Sequence, residues 1–160
     1  MQTIRITGIL IAAIFAFQNK VASQVNNLKQ EKMVTTEKSA IEKTLFSYRD
    51  ALNASDVSKV LTLYSNDGVF MPSNAPTAIG QEQVKDAYAF VFNAIQLNIE
   101  FFIDEIVVNG DYAFVRTTSK GTTLIHATGQ RVPEENRELF VLHKAGGQWK
   151  IARYMFNKMQ

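Results

Sequence analysis

The sequence predicts an α+β fold: a cone-shaped arrangement of about three N-terminal helices packed on a curved, mostly antiparallel sheet. Three observations lead there. Up to about residue 95 the apolar residues recur every three or four positions, and beyond it they alternate. Turn signals divide the second half into strands that follow one another directly, with no helix between them. The 160 residues, 46% of them apolar, suffice for one compact domain with its own core.

The first stretch reads as an address rather than as part of that core. Arg5 precedes an apolar run, Ile6–Phe17, and the small residues Val21-Ala22-Ser23 follow. This is the order of a secretory signal peptide. The run is short for a membrane span, which needs about 20 apolar residues. The expected division is a signal peptide over 1–23, a polar leader over 24–35 and one domain over 36–160. The protein is then secreted or periplasmic, with no membrane contact after the segment is removed. Gln24–Val34 is expected to fray. Of 17 basic residues, Arg5 and Lys20 fall in the first 23, which hold no acid; the remaining 15 balance the 15 acidic ones. A neutral domain has no electrostatic footprint for nucleic acid.

Ser39-Ala-Ile-Glu42 is a capping-box pattern, so the first helix starts there at the latest. Ile41, Leu45, Tyr48 and Leu52 form its inner stripe, and it stops near Asn53–Ser55. Asp56 is a good N-cap for a short second helix with Val57, Val60, Leu61 and Tyr64 inward. Asn66-Asp67-Gly68 predicts a turn into a short strand, Val69-Phe70-Met71, and Pro72–Pro76 an irregular loop. A third helix follows Gly80, with Val84, Ala87, Tyr88, Val91, Phe92 and Ile95 on one face. Strands are predicted over Leu97–Val108, Tyr112–His126, Asn136–His143 and Trp149–Lys158. The turns between them are Asn109-Gly110-Asp111, the loop Ala127–Pro133 and the hairpin Ala145-Gly146-Gly147.

A curved sheet closed on one side by helices leaves a pocket for a small molecule. Other chemistries find no residues here. There is no Cys, so disulfides, thiolate metal sites and a Cys nucleophile are excluded. The two histidines, His126 and His143, stand on different strands without metal-ligand spacing. No glycine-rich phosphate loop and no nucleophile elbow is present. No cofactor and no metal is therefore expected.

Strand parity places Asn136, Glu138, Phe140 and Leu142 on one face, and Ala152, Tyr154 and Phe156 on one face of the last strand. The opposite parity holds Arg137, Leu139, Val141 and His143, and Trp149, Ile151, Arg153 and Met155. Both faces are substantially apolar, so one packs under the helices and the other suggests a partner surface. The expectation is a homodimer through the outer sheet face, with Leu139, Val141, Ile151 and Met155 buried in it and Arg116, Arg137 and Arg153 at its rim.

The stretches Ser47–Asp56 and Leu63–Phe70 resemble the nuclear-transport-factor-2-like superfamily, which includes the ketosteroid isomerases and the SnoaL-like polyketide cyclases. Val115–Gly121, Asn136–Leu142 and Trp149–Asn157 are similar to its SgcJ/EcaC-type oxidoreductase branch. The resemblance spans roughly residues 36–158 and implies the cone-shaped fold. It implies that Tyr48 matches the phenol that donates to the substrate oxyanion in the isomerases. Glu138 falls near their second donor, a carboxylic acid held neutral by an apolar site. Their general base, an Asp shortly after the first strand, has no counterpart: Met71-Pro72-Ser73 stands there, without a carboxylate.

Two readings of function follow. One is an exported pocket protein that binds a small apolar molecule with a few polar groups. The other is an enzyme of the cyclase, isomerase or oxidoreductase kind using Tyr48 and Glu138. The expected lining is Tyr48, Phe70, Tyr88, Thr117, Ser119, Glu138, Phe140, Tyr154 and Phe156. Tyr48 can equally be a core aromatic, and Glu138 an edge residue paired with an Arg. A Glu138 buried away from Arg116, Arg137 and Arg153 should titrate above the usual value of about 4.3.

Overall fold

A computed structural model of the chain describes residues 4–159, with side chains from residue 23 on. The chain divides into two units, Met1–Glu37 and Lys38–Gln160. The described part of the first is helical throughout and belongs to α1 (Ile4–Asn53). Gln24–Val34, expected to fray, is helical too, which its Gln, Lys, Glu and Met residues favour. Ser39 and Glu42 consequently lie inside a helix rather than capping one. Of the expected export segment, residues 1–3 lie outside the described residues. Among the described residues, no helix is long and apolar enough to cross a membrane.

The second unit is an α+β domain with its helices on a six-stranded, mostly antiparallel sheet. Ile41, Leu45, Tyr48 and Leu52 of α1 are buried, as their spacing predicts. Asn53 ties the helix end to the sheet: its Nδ2 donates to the Ile99 carbonyl at 2.8 Å and its Oδ1 accepts from the Ile99 N–H at 2.9 Å. Asp56 caps α2 (Val57–Leu63), its carboxylate accepting from the Lys59 N–H at 2.8 Å. α3 (Gly80–Ala94) buries Val84, Tyr88 and Phe92.

The strands are β1 (Tyr64–Met71), β2 (Ala78–Ile79), β3 (Ile95–Asn109), β4 (Tyr112–Ile125), β5 (Gln130–Ala145) and β6 (Gln148–Lys158). Their order across the sheet is β2-β1-β6-β5-β4-β3. Only the β1–β6 pair is parallel. Asn66-Asp67-Gly68 does not precede a strand but lies within β1, where the register against β6 shifts between Tyr64 and Val69. The turn chemistry is expressed as an excursion inside the strand. A Cβ on Gly68 would meet Tyr64 Cδ1 at 2.6 Å, so this excursion needs a glycine.

Two further differences bear on the site. β5 begins at Gln130, six residues before the sequence suggests. Pro133 is tolerated there because pairing with β6 starts only at Asn136, leaving an open edge on that side. In β6 a bulge breaks the alternation: Val141 pairs with Arg153, and Leu142 with Ile151. The extra residue moves Ile151 and Trp149 to the inner face, where both are buried. The expectation that Ile151 shares the outer face with Arg153 and Met155 is thereby corrected. Leu139 and Met155 remain on the outer face, 40% and 39% exposed.

Candidate functional site

Four elements supply a buried polar cluster in an aromatic setting. Tyr48 comes from the inner stripe of α1, Tyr88 from α3, and Glu138 and Tyr154 from the paired strands β5 and β6. They line a cavity of about 540 Å³, within the range of small-molecule sites. Leu52, Ala87, Val91, Ile95, Leu97 and Ile99 make most of its wall apolar. Phe90, 76% exposed, stands at the rim with the loop residues Pro72, Ser73 and Ala75.

The phenols form a relay. Tyr64 Oη and Tyr88 Oη are 2.9 Å apart, and Tyr88 Oη is also hydrogen bonded to Tyr48 Oη. Three phenols in a row use two of their three protons on one another and leave one spare. Tyr48 is the end that lines the cavity; Tyr64 does not. The rings of Tyr64, Tyr88, Phe140 and Tyr154 meet that of Tyr48 edge-on, with centroids 5.5–6.3 Å away. Phe70 stacks on Tyr88 at 4.7 Å and on Tyr154 at 5.5 Å. Burial pushes all four phenols, Tyr48, Tyr64, Tyr88 and Tyr154, well above the usual range, so they remain hydrogen-bond donors.

Glu138 is 4% exposed. Thr117 Oγ1 donates to one carboxyl oxygen, and Tyr154 Oη donates to the other at 3.3 Å. Burial raises the carboxyl above its ordinary value; the neighbouring hydroxyls of Thr117, Ser119 and Tyr154 oppose the rise without cancelling it. The arginines of the outer face are engaged elsewhere, Arg116 with Asp104 at 3.0 Å and Arg153 with Asp67 at 3.9 Å.

Six of the nine residues expected in the lining are there: Tyr48, Phe70, Tyr88, Glu138, Tyr154 and Phe156. Thr117, Ser119 and Phe140 are not. Thr117 and Ser119 pair across β4–β5 with Glu138 and Asn136 and are fully buried, while their longer partners reach the cavity. Phe140 stacks on Tyr154 at 4.3 Å and is covered by it and by Tyr48. Sequence reasoning missed Glu134, Asn136 and Asp86, all of which line the cavity. Asn136 stands on the predicted strand with the parity of Glu138; Glu134 shares that parity, a signal that a strand beginning before Pro133 would have exposed. Among the described residues no group of acids and histidines could hold a metal ion.

A family model for the SnoaL-like domain matches residues 46–154. Among solved structures, a ketosteroid isomerase-like protein from Erwinia carotovora atroseptica is 35% identical, with a TM-score of 0.74 over 76% of this chain and 95% of that one. A member of the nuclear-transport-factor-2-like family from Streptomyces avermitilis has a TM-score of 0.68 at 16% identity, over 79% of this chain and 98% of that one. A cystatin-like fold protein from Nostoc punctiforme has a TM-score of 0.65 at 17% identity, over 79% of each chain. None of the curated proteins matches this chain.

Proposed function

Because the chain belongs to the SnoaL-like domain family, we propose that its cavity binds a small, mostly apolar molecule whose oxygen accepts hydrogen bonds from the cluster around Tyr48 and Glu138. The observation that carries this reading is a buried phenol relay and a buried carboxyl placed together in a cavity whose wall is mostly apolar. An apolar wall supplies affinity, and a few convergent polar groups supply orientation. The test is calorimetric titration with 2-acetylnaphthalene, an apolar ketone. Tyr48→Phe should weaken its binding about tenfold, the value of one buried hydrogen bond. Equal binding by the two proteins would overturn the assignment.

A second reading, an enzyme acting next to a ketone, is favoured by one observation. Tyr48 is a donor that would stabilise negative charge on a ligand oxygen, and burial shifts the neighbouring Glu138 toward its neutral form. A base would then have to come from Asp86 or Glu134, since Pro72 and Ser73 occupy the loop beside β1. Hydrogen–deuterium exchange of the acetyl protons, followed by NMR, separates the readings. Exchange faster than in buffer supports the enzyme; none supports the binding module.

Export belongs to the same proposal, supported by Arg5, the apolar run Ile6–Phe17 and Val21-Ala22-Ser23. N-terminal sequencing of protein from its native host should begin after Ala22 or Ser23. An intact Met1 in a cytosolic fraction would exclude it.

A further inference from the structure

α3 gives the cavity two unlike ends. Tyr88 is buried and meets the phenols of Tyr48 and Tyr64. Asp86 and Phe90, on either side of it in the sequence, are exposed and line the cavity, so they stand at its mouth. Four residues apart on a helix, their side chains are neighbours on one face. Among the described lining residues there is no Lys, Arg or His. The carboxyls of the wall differ in what they already hold. Glu138 receives Thr117 and Tyr154. Glu134 receives Thr123 Oγ1 at 2.9 Å and Asn136 Nδ2 at 3.0 Å, and pairs with Lys158 at 3.2 Å. The carboxylate of Asp86 has no hydrogen-bond or ion-pair partner among the described residues; Lys85 beside it pairs with Glu82 at 3.8 Å.

A free carboxylate beside an exposed aromatic ring suits an organic ammonium ion. The carboxylate supplies the counter-charge, and the ring face attracts the cation. An anion in the same place would meet a carboxylate and find no cation in the wall to replace its lost water. We propose that Asp86 and Phe90 form a cation subsite at the mouth of the cavity, and that the ligand carries an ammonium group at the end away from Tyr48. The inference rests on the ligand-binding reading and narrows it to amines on an apolar frame. At the rim the ammonium group keeps part of its hydration, so the subsite selects ligand charge more than it adds affinity.

The test is calorimetry with 2-acetylnaphthalene bearing a trimethylammoniomethyl group at ring position 5, 6 or 7. Each compound is compared with its neopentyl isostere, which has the same shape without the charge, and with its carboxymethyl counterpart. At least one ammonium compound should bind the native protein about fivefold more tightly than its isostere. The carboxymethyl compound of that position should bind more weakly than the isostere. In Asp86→Asn and in Phe90→Leu the ammonium-to-isostere ratio should fall about twofold or more. The ratio is taken within each protein, so a general change in affinity cancels. No excess at any position, an equal excess from the carboxylate, or a ratio that survives either substitution overturns the subsite. If a variant does not fold, the cation, isostere and anion series in the native protein decides alone. Failure of the unsubstituted ketone to bind overturns the ligand reading itself, and the subsite with it.

Discussion

Glu138 shows how neighbours divide the work of setting one residue's chemistry. Burial favours its neutral form, while the hydroxyls of Thr117, Ser119 and Tyr154 beside the carboxyl favour the charged one; burial prevails. The consequence for stability has a definite sign. A carboxyl whose folded value lies above its unfolded value binds more protons in the folded state. Stability then falls as pH rises past the unfolded value and levels off above the folded one. Glu138→Gln removes this contribution. Thermal melts from about pH 5 to about pH 8 should show a shallower decline for Glu138→Gln than for the native protein. Parallel profiles would mean that Glu138 is not held above its ordinary value. The carboxyl was legible in the sequence as a site because its parity with Phe140 and Leu142 places it inward. Asn136 shares that parity; Glu134 was less legible, because it adjoins Pro133 and a run of polar residues that read as loop.

At the level of elements, the bulge in β6 decides which side chains build the core. Strict alternation assigns Ile151 to the outer face with Met155; the extra residue between them turns Ile151 inward. The two positions should therefore answer differently to truncation. Ile151→Ala should cost about 2–5 kcal/mol, as a fully buried branched chain does. Met155→Ala, at a half-exposed position, should cost under about 1 kcal/mol in the isolated protomer. Denaturant unfolding at low protein concentration measures both, and similar losses at the two sites would contradict the bulge. Gly121 shows the same dependence on close approach. A Cβ there would meet Ile99 Cα at 2.8 Å and the Asn98 carbonyl closer still, across the β3–β4 pair.

At the scale of the whole molecule, the unit from Lys38 on is covered by helices on one face of its sheet and leaves Leu139, Val141 and Met155 on the other. Phe114 of β4 joins them, 42% exposed. Apolar area left in water costs about 25 cal/mol per Å². We propose that a second copy covers this face in a two-fold dimer, in which one surface meets itself. Light scattering at micromolar concentration should give twice the protomer mass. Leu139→Glu combined with Met155→Glu should give the protomer mass with the fold intact by circular dichroism. A monomeric native protein would end the proposal.

The sequence by itself determined the class of fold, the order of its elements, the inner stripe of α1 and the inward parity of Glu138. These are local matters: helical spacing, strand alternation and capping act over a few residues, and their signals lie side by side in the chain. Only the tertiary structure decided the register. The inward turn of Ile151, the early start of β5 at Gln130, and the placement of Thr117, Ser119 and Phe140 behind the cavity wall depend on which strands end beside which. So does the phenol relay, which joins residues 24 and 40 positions apart. Strand pairing is non-local: a single extra residue in β6 reverses every side chain beyond it, and no short stretch of sequence records where that residue falls.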